Sequence, residues 1–222
     1  MALPASIMPD VAVVSAIFNI QRLDYQTAAT DGRVFGVTAG APLWTMKATI
    51  RDGDEDETDM WFAFLDGLRG VQRPFLAYDL TRPFPRLYPN GFGGMTRAGG
   101  GVFAGAASAW SVNSDRDHLT LSGLPAALVL SNRDGLMLRW VTGGEPRRSL
   151  HRLVAPATAS GAGAVTVAIE PPIPTLVPGS AVADLAKPQA IFKQVPGESG
   201  MGEIDTLHSA SGTLSAVQDL RA

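Results

Sequence analysis

Apolar and polar residues alternate through Leu43–Arg51. Trp44, Met46, Ala48 and Ile50 fall on one side of an extended chain, and Leu43, Thr45, Lys47 and Thr49 on the other. Successive side chains of a strand point to opposite faces, so this spacing predicts a half-buried antiparallel strand. Before it, Val11–Leu23 is rich in β-branched and aromatic residues and reads as a first strand. A polar turn through Thr30, Asp31 and Gly32 and a short run at Arg33–Thr38 separate the two. The period changes at Asp54–Arg69, where Trp61, Phe64, Leu65 and Leu68 form the single apolar stripe of an amphipathic helix. Asp54 with Glu57 matches an acidic variant of the capping box, Asp56 and Asp59 put negative charge where the helix dipole favours it, and Gly70 is the stop.

Gln72–Tyr78 reads as the next strand, followed by the irregular stretch Asp79–Gly105 with Pro83, Pro85, Pro89 and the turn signal Asn90-Gly91. A structureless segment of this length in a folded chain is commonly functional or a crossing between domains. Beyond it short strands recur at Ala109–Asn113, His118–Ser122, Leu128–Leu130, Leu136–Val141 and Ser149–Val154. They continue at Val165–Ile169, Ala181–Leu185 and Ala190–Gln194, with a hairpin loop expected at Thr142–Arg147. Short strands at this density, broken by Gly and Pro, argue for a small barrel or sandwich. Gly197–Gly202 is a second break; after it come a candidate strand at Ile204–Ala210 and the helical-looking Leu214–Leu220. The fold class is mainly β with one amphipathic helix. Residues 1–105 are expected to form one domain, 106–196 a small β-barrel (OB-like or similar), and 197–222 a separate C-terminal segment.

Composition narrows the function classes. The 222 residues include 24 Gly and 16 Pro, which fits a turn-rich, helix-poor chain, while a hydrophobic fraction of 45% contradicts wholesale disorder. Absent cysteine excludes disulfide scaffolds, thiolate zinc sites and cysteine nucleophiles. A net charge of −3 gives no general attraction to nucleic acid. No apolar run approaches the roughly 20 residues of a membrane-spanning helix, and Met1–Asp10, with Pro4, Pro9 and no basic residue, does not read as a secretory signal.

No stretch of the sequence carries a catalytic, metal or cofactor motif. Asp52, Asp54 and Asp56 have the spacing that opens a calcium loop, but Glu57 stands where that loop needs Gly and Ala63 where it needs Glu, so helix capping is the better reading. His118, His151 and His208 are too scattered for a local metal motif, and His151 reads as a satisfied structural histidine. Gly197-Glu198-Ser199-Gly200 has the wrong spacing for a nucleophile elbow. Gly99-x-Gly101-x-x-Ala104 precedes strand-like sequence, whereas a dinucleotide loop must open onto a helix. Asp115, Asp117, Asp134, Glu145 and Glu170 lie mostly in turns and read as solvated, although a carboxylate pair among them would suit glycoside hydrolysis. Arg133, Arg139, Arg147, Arg148 and Arg152 form a local basic excess, read as solvated or subunit-facing.

Two blocks carry a resemblance. The first runs from Trp44-x-Met-x-Ala through the acidic helix with Trp61-Phe-Ala-Phe-Leu-Asp-Gly-Leu-Arg-Gly to Pro74-Phe-Leu-Ala-Tyr-Asp and a Pro/Gly-rich loop. The second contains Leu121-x-Gly-Leu, Asp134-Gly-Leu-Met-Leu, Leu150-His-Arg-Leu-Val and Glu170-Pro-Pro-Ile-Pro, and ends in Pro178-Gly-Ser-Ala-Val and Ala190-Ile-Phe-Lys. Their order, over Leu43–Gln194, resembles distal tail (baseplate hub) proteins of long-tailed bacteriophages. The resemblance implies a non-enzymatic virion protein without cofactor, assembled in the bacterial cytoplasm. Its copies would form a ring, often a hexamer, between the tail tube protein and the hub or baseplate proteins. The first region would be a strand–helix–strand split barrel or sandwich joining the ring, with the small barrel outside it and the C-terminal strand returning to the first region. Phe84, Tyr88 and Phe92 in the Pro-rich stretch, with Arg147 and Arg148, are the candidate interface residues; packing of the aromatics under their own loop is the alternative. A second reading is a module binding host-surface glycans, with Trp110 and Trp140 as stacking platforms; a glycoside hydrolase is a third.

Overall fold

The chain is mainly β, with one α-helix among the described residues, which are 6–51, 53–204 and 210–220 of a computed structural model. In chain order the first elements are β1 (Ser6–Ile7), β2 (Val13–Gln21), β3 (Asp24–Ala28), β4 (Val34–Thr38), β5 (Leu43–Ile50), α1 (Glu55–Leu68) and β6 (Phe75–Tyr78). Then come β7 (Ala109–Val112), β8 (His118–Ser122), β9 (Val129–Leu130), β10 (Gly135–Thr142), β11 (Glu145–Leu153), β12 (Ala157–Thr158), β13 (Val165–Glu170) and β14 (Val182–Asp184). The last are β15 (Gln189–Gln194), β16 (Gly200–Ile204) and β17 (Ala210–Gln218).

The first lobe is a sheet in the order β1-β6-β15-β17-β5-β2, with β16 added alongside β17. The alternation of β5 sets its inner face: Trp44, Met46, Ala48 and Ile50 are buried, together with Phe18, Phe75, Phe192 and Leu214 from neighbouring strands. Helix α1 covers this face because its stripe is apolar and a lone helix has no core of its own. Trp61 and Leu68 are buried, and Phe64 meets Phe75 edge-on at 5.5 Å. The capping box forms in both directions: Asp54 Oδ1 accepts from the Glu57 N–H at 2.9 Å, and Glu57 Oε2 from the Asp54 N–H at 3.3 Å. The left-handed stop falls one residue earlier than the glycine signal indicates, on Arg69 at φ 51°, with Gly70 also positive at 63°.

The second lobe is a sheet in the order β14-β10-β11-β13-β8-β7. It curls until its ends approach, but one bridge, Ala106 to Asp184, replaces the ladder that would close it, so the sheet stays open. The β10–β11 hairpin turns more tightly than expected. Thr142 pairs with Glu145 across Gly143 and Gly144, both at positive φ, so Glu145–Arg147 belong to the strand. Leu136, Leu138 and Trp140 face inward with Leu119, Leu121, Val165 and Val167.

Sheet pairing moves two boundaries. Strand β15 lies beside β6 (Gln189 opposite Tyr78, Phe192 opposite Phe75), so the second lobe ends before Gln189 and not at residue 196. It is an insertion between two neighbouring strands of the first sheet. The stretch Asp79–Gly105 belongs to it physically, since Phe84, Tyr88, Phe92 and Phe103 pack with the second core. At the end of the chain, the helical-looking Leu214–Leu220 is corrected: β17 runs through Gln218, paired to β5 on one side and to β15 and β16 on the other. Two flanking strands that need backbone partners outweigh the weak propensity of a run of small residues. Of the expected break at Gly197–Gly202, Gly200–Gly202 start β16, and of the strand expected at Ile204–Ala210, residues 205–209 lie outside the described residues.

The lobes meet at a joint centred on Trp44, with the Arg22–Glu170 ion pair at 2.7 Å as a further link between them. Trp44 is 2% exposed and donates its indole N–H to the Leu150 carbonyl of β11 at 2.7 Å. The Arg152 guanidinium lies 4.7 Å over the Trp44 ring and donates to the Phe18 carbonyl at 2.8 Å.

Candidate functional site

The residues proposed from sequence as interface anchors divide into two groups. Phe84, Tyr88 and Phe92 turn inward, a correction to their reading as anchors for a neighbour. Phe92 is buried, meeting Phe103 at 4.8 Å and Tyr88 at 5.8 Å, and Tyr88 accepts at its hydroxyl from the Val129 N–H at 3.0 Å. A Pro-rich loop has few backbone donors with which to form a sheet, so its rings fasten it by burial instead. Arg147 and Arg148 remain on the surface of the β10–β11 hairpin, half-buried. Arg148 stands opposite Arg139 across the ladder, and burial, then that like charge, hold its pKa below the ordinary arginine value.

Both tryptophans are engaged by the second lobe. Trp140 is 9% exposed and part of the second core, and Trp110 is half-buried with its indole N–H donating to the Ala181 carbonyl at 2.6 Å. The turn carboxylates have separate surroundings. Asp117 is exposed and held below the usual carboxylate range by hydrogen bonds with His118 and Asn113. Glu170 pairs with Arg22 at 2.7 Å. Asp134 corrects its reading as a solvated turn residue. It is fully buried, accepting from the Ser131 N–H at 2.7 Å and the Arg86 N–H at 2.9 Å.

His151 is fully buried, and its Nδ1 lies 2.7 Å from the Pro171 carbonyl, which requires the proton on that nitrogen. Its Nε2 has no hydrogen-bond partner among the described residues, so among them the ring is satisfied on one side only. Burial pushes its pKa down to about 4, against the pull of the Pro171 carbonyl and helped by Arg116. The unfolded chain therefore takes up a proton near pH 6.5 that the folded chain refuses, and stability falls as the pH drops from there towards 4. Between pH 6.5 and 5 this group alone is expected to cost about 1.5 kcal/mol. Urea titrations at the two pH values check it, and His151→Gln, which keeps a donor but does not titrate, should remove that part of the slope. His208 and Asp52 lie outside the described residues. Among those described, no three His, Asp or Glu side chains come together to hold a metal ion, and no helix is long and apolar enough to cross a membrane.

The feature that sequence reading missed is the hairpin β3–β4. Asp24 pairs with Thr38, Tyr25 with Val37, Gln26 with Gly36, Thr27 with Phe35 and Ala28 with Val34, and among the described residues no other strand joins the pair. Every residue of both strands is exposed. The two faces nevertheless differ. Tyr25, Thr27, Phe35 and Val37 share one, with Tyr25 70%, Phe35 58% and Val37 68% exposed; Asp24, Gln26 and Thr38 share the other with Ala28 and the exposed Val34 at the turn end. At its base lies β2, the edge strand of the first sheet, with Val14 and Ile17 also exposed. Tyr25 stands between the polar Asp24 and Gln26, and Phe35 and Val37 lie two apart across Gly36; that spacing was the signal available in the sequence. No protein-family model and no curated protein matches this chain.

Proposed function

We propose that this chain is a structural, non-enzymatic subunit of a bacteriophage tail tip of the distal-tail kind. Its copies form a ring, hexameric by that likeness, between the tail tube and the hub proteins of the virion, assembled in the bacterial cytoplasm. The observation that carries the reading is the amphipathic hairpin β3–β4. A two-stranded hairpin is at best marginally stable in water, and this one leaves its apolar face uncovered by the described residues of its own chain. Such an arm gains its stability by lying on another subunit. The nine-residue edge strand β2 supplies unpaired backbone groups beside it. An arm reaching a different surface of the next copy makes a head-to-tail contact, and such contacts close into rings when the rotation allows.

Size-exclusion chromatography with light scattering tests this. The wild-type chain is expected to show the mass of a multi-copy assembly at high concentration, seen by electron microscopy as a ring with a central hole. Tyr25→Ser with Phe35→Ser should leave a monomer with the same circular dichroism spectrum. A wild-type chain that stays monomeric, alone and with tail tubes, overturns the reading, and a double variant that still forms the ring removes the arm from it.

A further inference from the structure

A groove where the two lobes meet is lined by proline and leucine. Pro42 and Leu220 come from the first lobe, and Pro172, Pro174 and Leu176 from the segment after β13. Among the described residues, no Asp, Glu, Lys, Arg or His lines it. Its volume is about 420 Å³. Pockets of about 300–1,000 Å³ take up groups larger than a single side chain.

The backbone of the proline segment is committed to its own lobe. His151 Nδ1 donates to the Pro171 carbonyl at 2.7 Å, and the Arg116 guanidinium donates to the Ile173 carbonyl at 2.6 Å and the Pro174 carbonyl at 2.9 Å. The Ile173 N–H donates to the Arg116 carbonyl at 2.8 Å, and the prolines have no N–H to satisfy. The segment is thus a fixed wall that gives the groove proline rings and the exposed Leu176.

The chain also carries a protruding surface of matching kind. The Tyr25, Thr27, Phe35 and Val37 face of the arm β3–β4 is uncharged and exposed. Tyr25 lies opposite Val37 and Phe35 opposite Thr27, so the two aromatic residues are diagonal neighbours. Such neighbours stand roughly 7–8 Å apart, close enough for both rings to enter one groove. Aromatic rings packed on proline are a recurring mode of recognition, because a rigid proline segment loses little freedom on contact.

The placement of the groove favours a second copy as the source of the arm. Ala41 and Pro42, which line it, lie just beyond β4. An arm seated there therefore lies beside the root of the receiving copy's own arm, and the contact repeats from copy to copy. An arm folded back into its own groove would have to reverse within residues 39–42. Pro42 disfavours the compact backbone that such a reversal needs at Ala41.

We infer that the arm of one copy lays Tyr25, Phe35 and Val37 on the Pro172–Leu176 wall of the next. This rests on the reading that the copies assemble, and adds to it the surface that receives the arm.

Disulfide trapping tests it, since the chain has no cysteine of its own. Val37→Cys and Leu176→Cys both replace exposed side chains. Mixed and mildly oxidised, the two variants are expected to link at least about tenfold faster than either links to itself. A chain carrying both should give a ladder of covalent oligomers on a non-reducing gel. Leu176→Asp should weaken self-association at least about tenfold and leave the circular dichroism spectrum unchanged. A doubly substituted chain that closes on itself as a monomer overturns the inference, and so does Val37→Cys linking to itself as fast as to Leu176→Cys. A Leu176→Asp chain that assembles like the wild type also overturns it, while the ring reading stands with the arm on another surface. A wild-type chain that stays monomeric overturns both.

Discussion

Asp134→Ala is expected to cost about 3–5 kcal/mol of folding stability, because it removes one partner of a buried, hydrogen-bonded charge. The Asp134 carboxylate is fully buried where the turn before β10 meets the Pro-rich stretch. One oxygen accepts from the Ser131 N–H and closes the turn that opens β10; the other accepts from the Arg86 N–H in the Pro-rich stretch and lies 3.7 Å from the Arg82 guanidinium. Alanine leaves two backbone donors buried without acceptors, each costing about 1–3 kcal/mol, and strips Arg82 of its counter-charge. The Asp134→Asn variant still offers one acceptor oxygen, so its loss should be about half as large. Urea denaturation followed by circular dichroism measures both, as a shift of midpoint at unchanged slope. Limited proteolysis adds a local readout, since the stretch 79–105 should be cut faster in Asp134→Ala than in the wild type. A loss below about 1 kcal/mol would mean that the loop is fastened by its buried rings alone.

The same residue shows where the sequence is legible and where it is not. Strand β5 and helix α1 are readable because their pattern has a local cause: the side-chain period of each element is written in consecutive residues, and the Asp54–Glu57 box marks the helix start. Most strands of the second lobe are readable for the same reason. Asp134 looks like any turn aspartate because its burial depends on Arg86, 48 positions away. Phe84, Tyr88 and Phe92 look like exposed anchors in a Pro-rich segment until the second core is there to receive them. Strand β17 reads as helical because its small residues carry little propensity, and only β5 and β15 on its flanks decide the matter. The arm β3–β4 escapes for the opposite reason. Reading β2 as running on to Leu23 and then turning hides a separate hairpin, whose apolar residues have no core among the described residues to explain them. Arg133 and Arg152 are both visible as part of a basic excess, but that they and Arg82 line one narrow cleft follows only from the packing of the lobes.

Trp44→Ala is expected to lower stability by about 3–5 kcal/mol, in the range for losing a large buried side chain. Its more informative effect should be on cooperativity. The two lobes have separate cores, and Leu150 is the residue of the second sheet that enters the first core. Trp44 is what Leu150 and Arg152 meet there: its indole N–H holds the Leu150 carbonyl, and its ring carries the Arg152 guanidinium. With the ring gone, Arg152 keeps only its bond to the Phe18 carbonyl and the Leu150 carbonyl loses its indole donor. The second lobe then remains tied to the first through the chain crossings at either end of the insertion, the Arg22–Glu170 ion pair and the approach of β11 to β15. Calorimetry should record one transition for the wild type, with equal calorimetric and van't Hoff enthalpies. In Trp44→Ala the calorimetric enthalpy should exceed the van't Hoff value as the lobes melt apart. Trp44→Phe, which keeps most of the buried area and loses the N–H donor, should cost about 1–2 kcal/mol and stay two-state. A Trp44→Ala protein that still melts in one step would place the coupling in the paired strands β6 and β15 instead. If the copies assemble into the ring proposed above, this joint fixes the second lobe relative to the arm and the edge strand, and a variant whose lobes melt apart is then expected to form irregular rings before it loses the ability to associate.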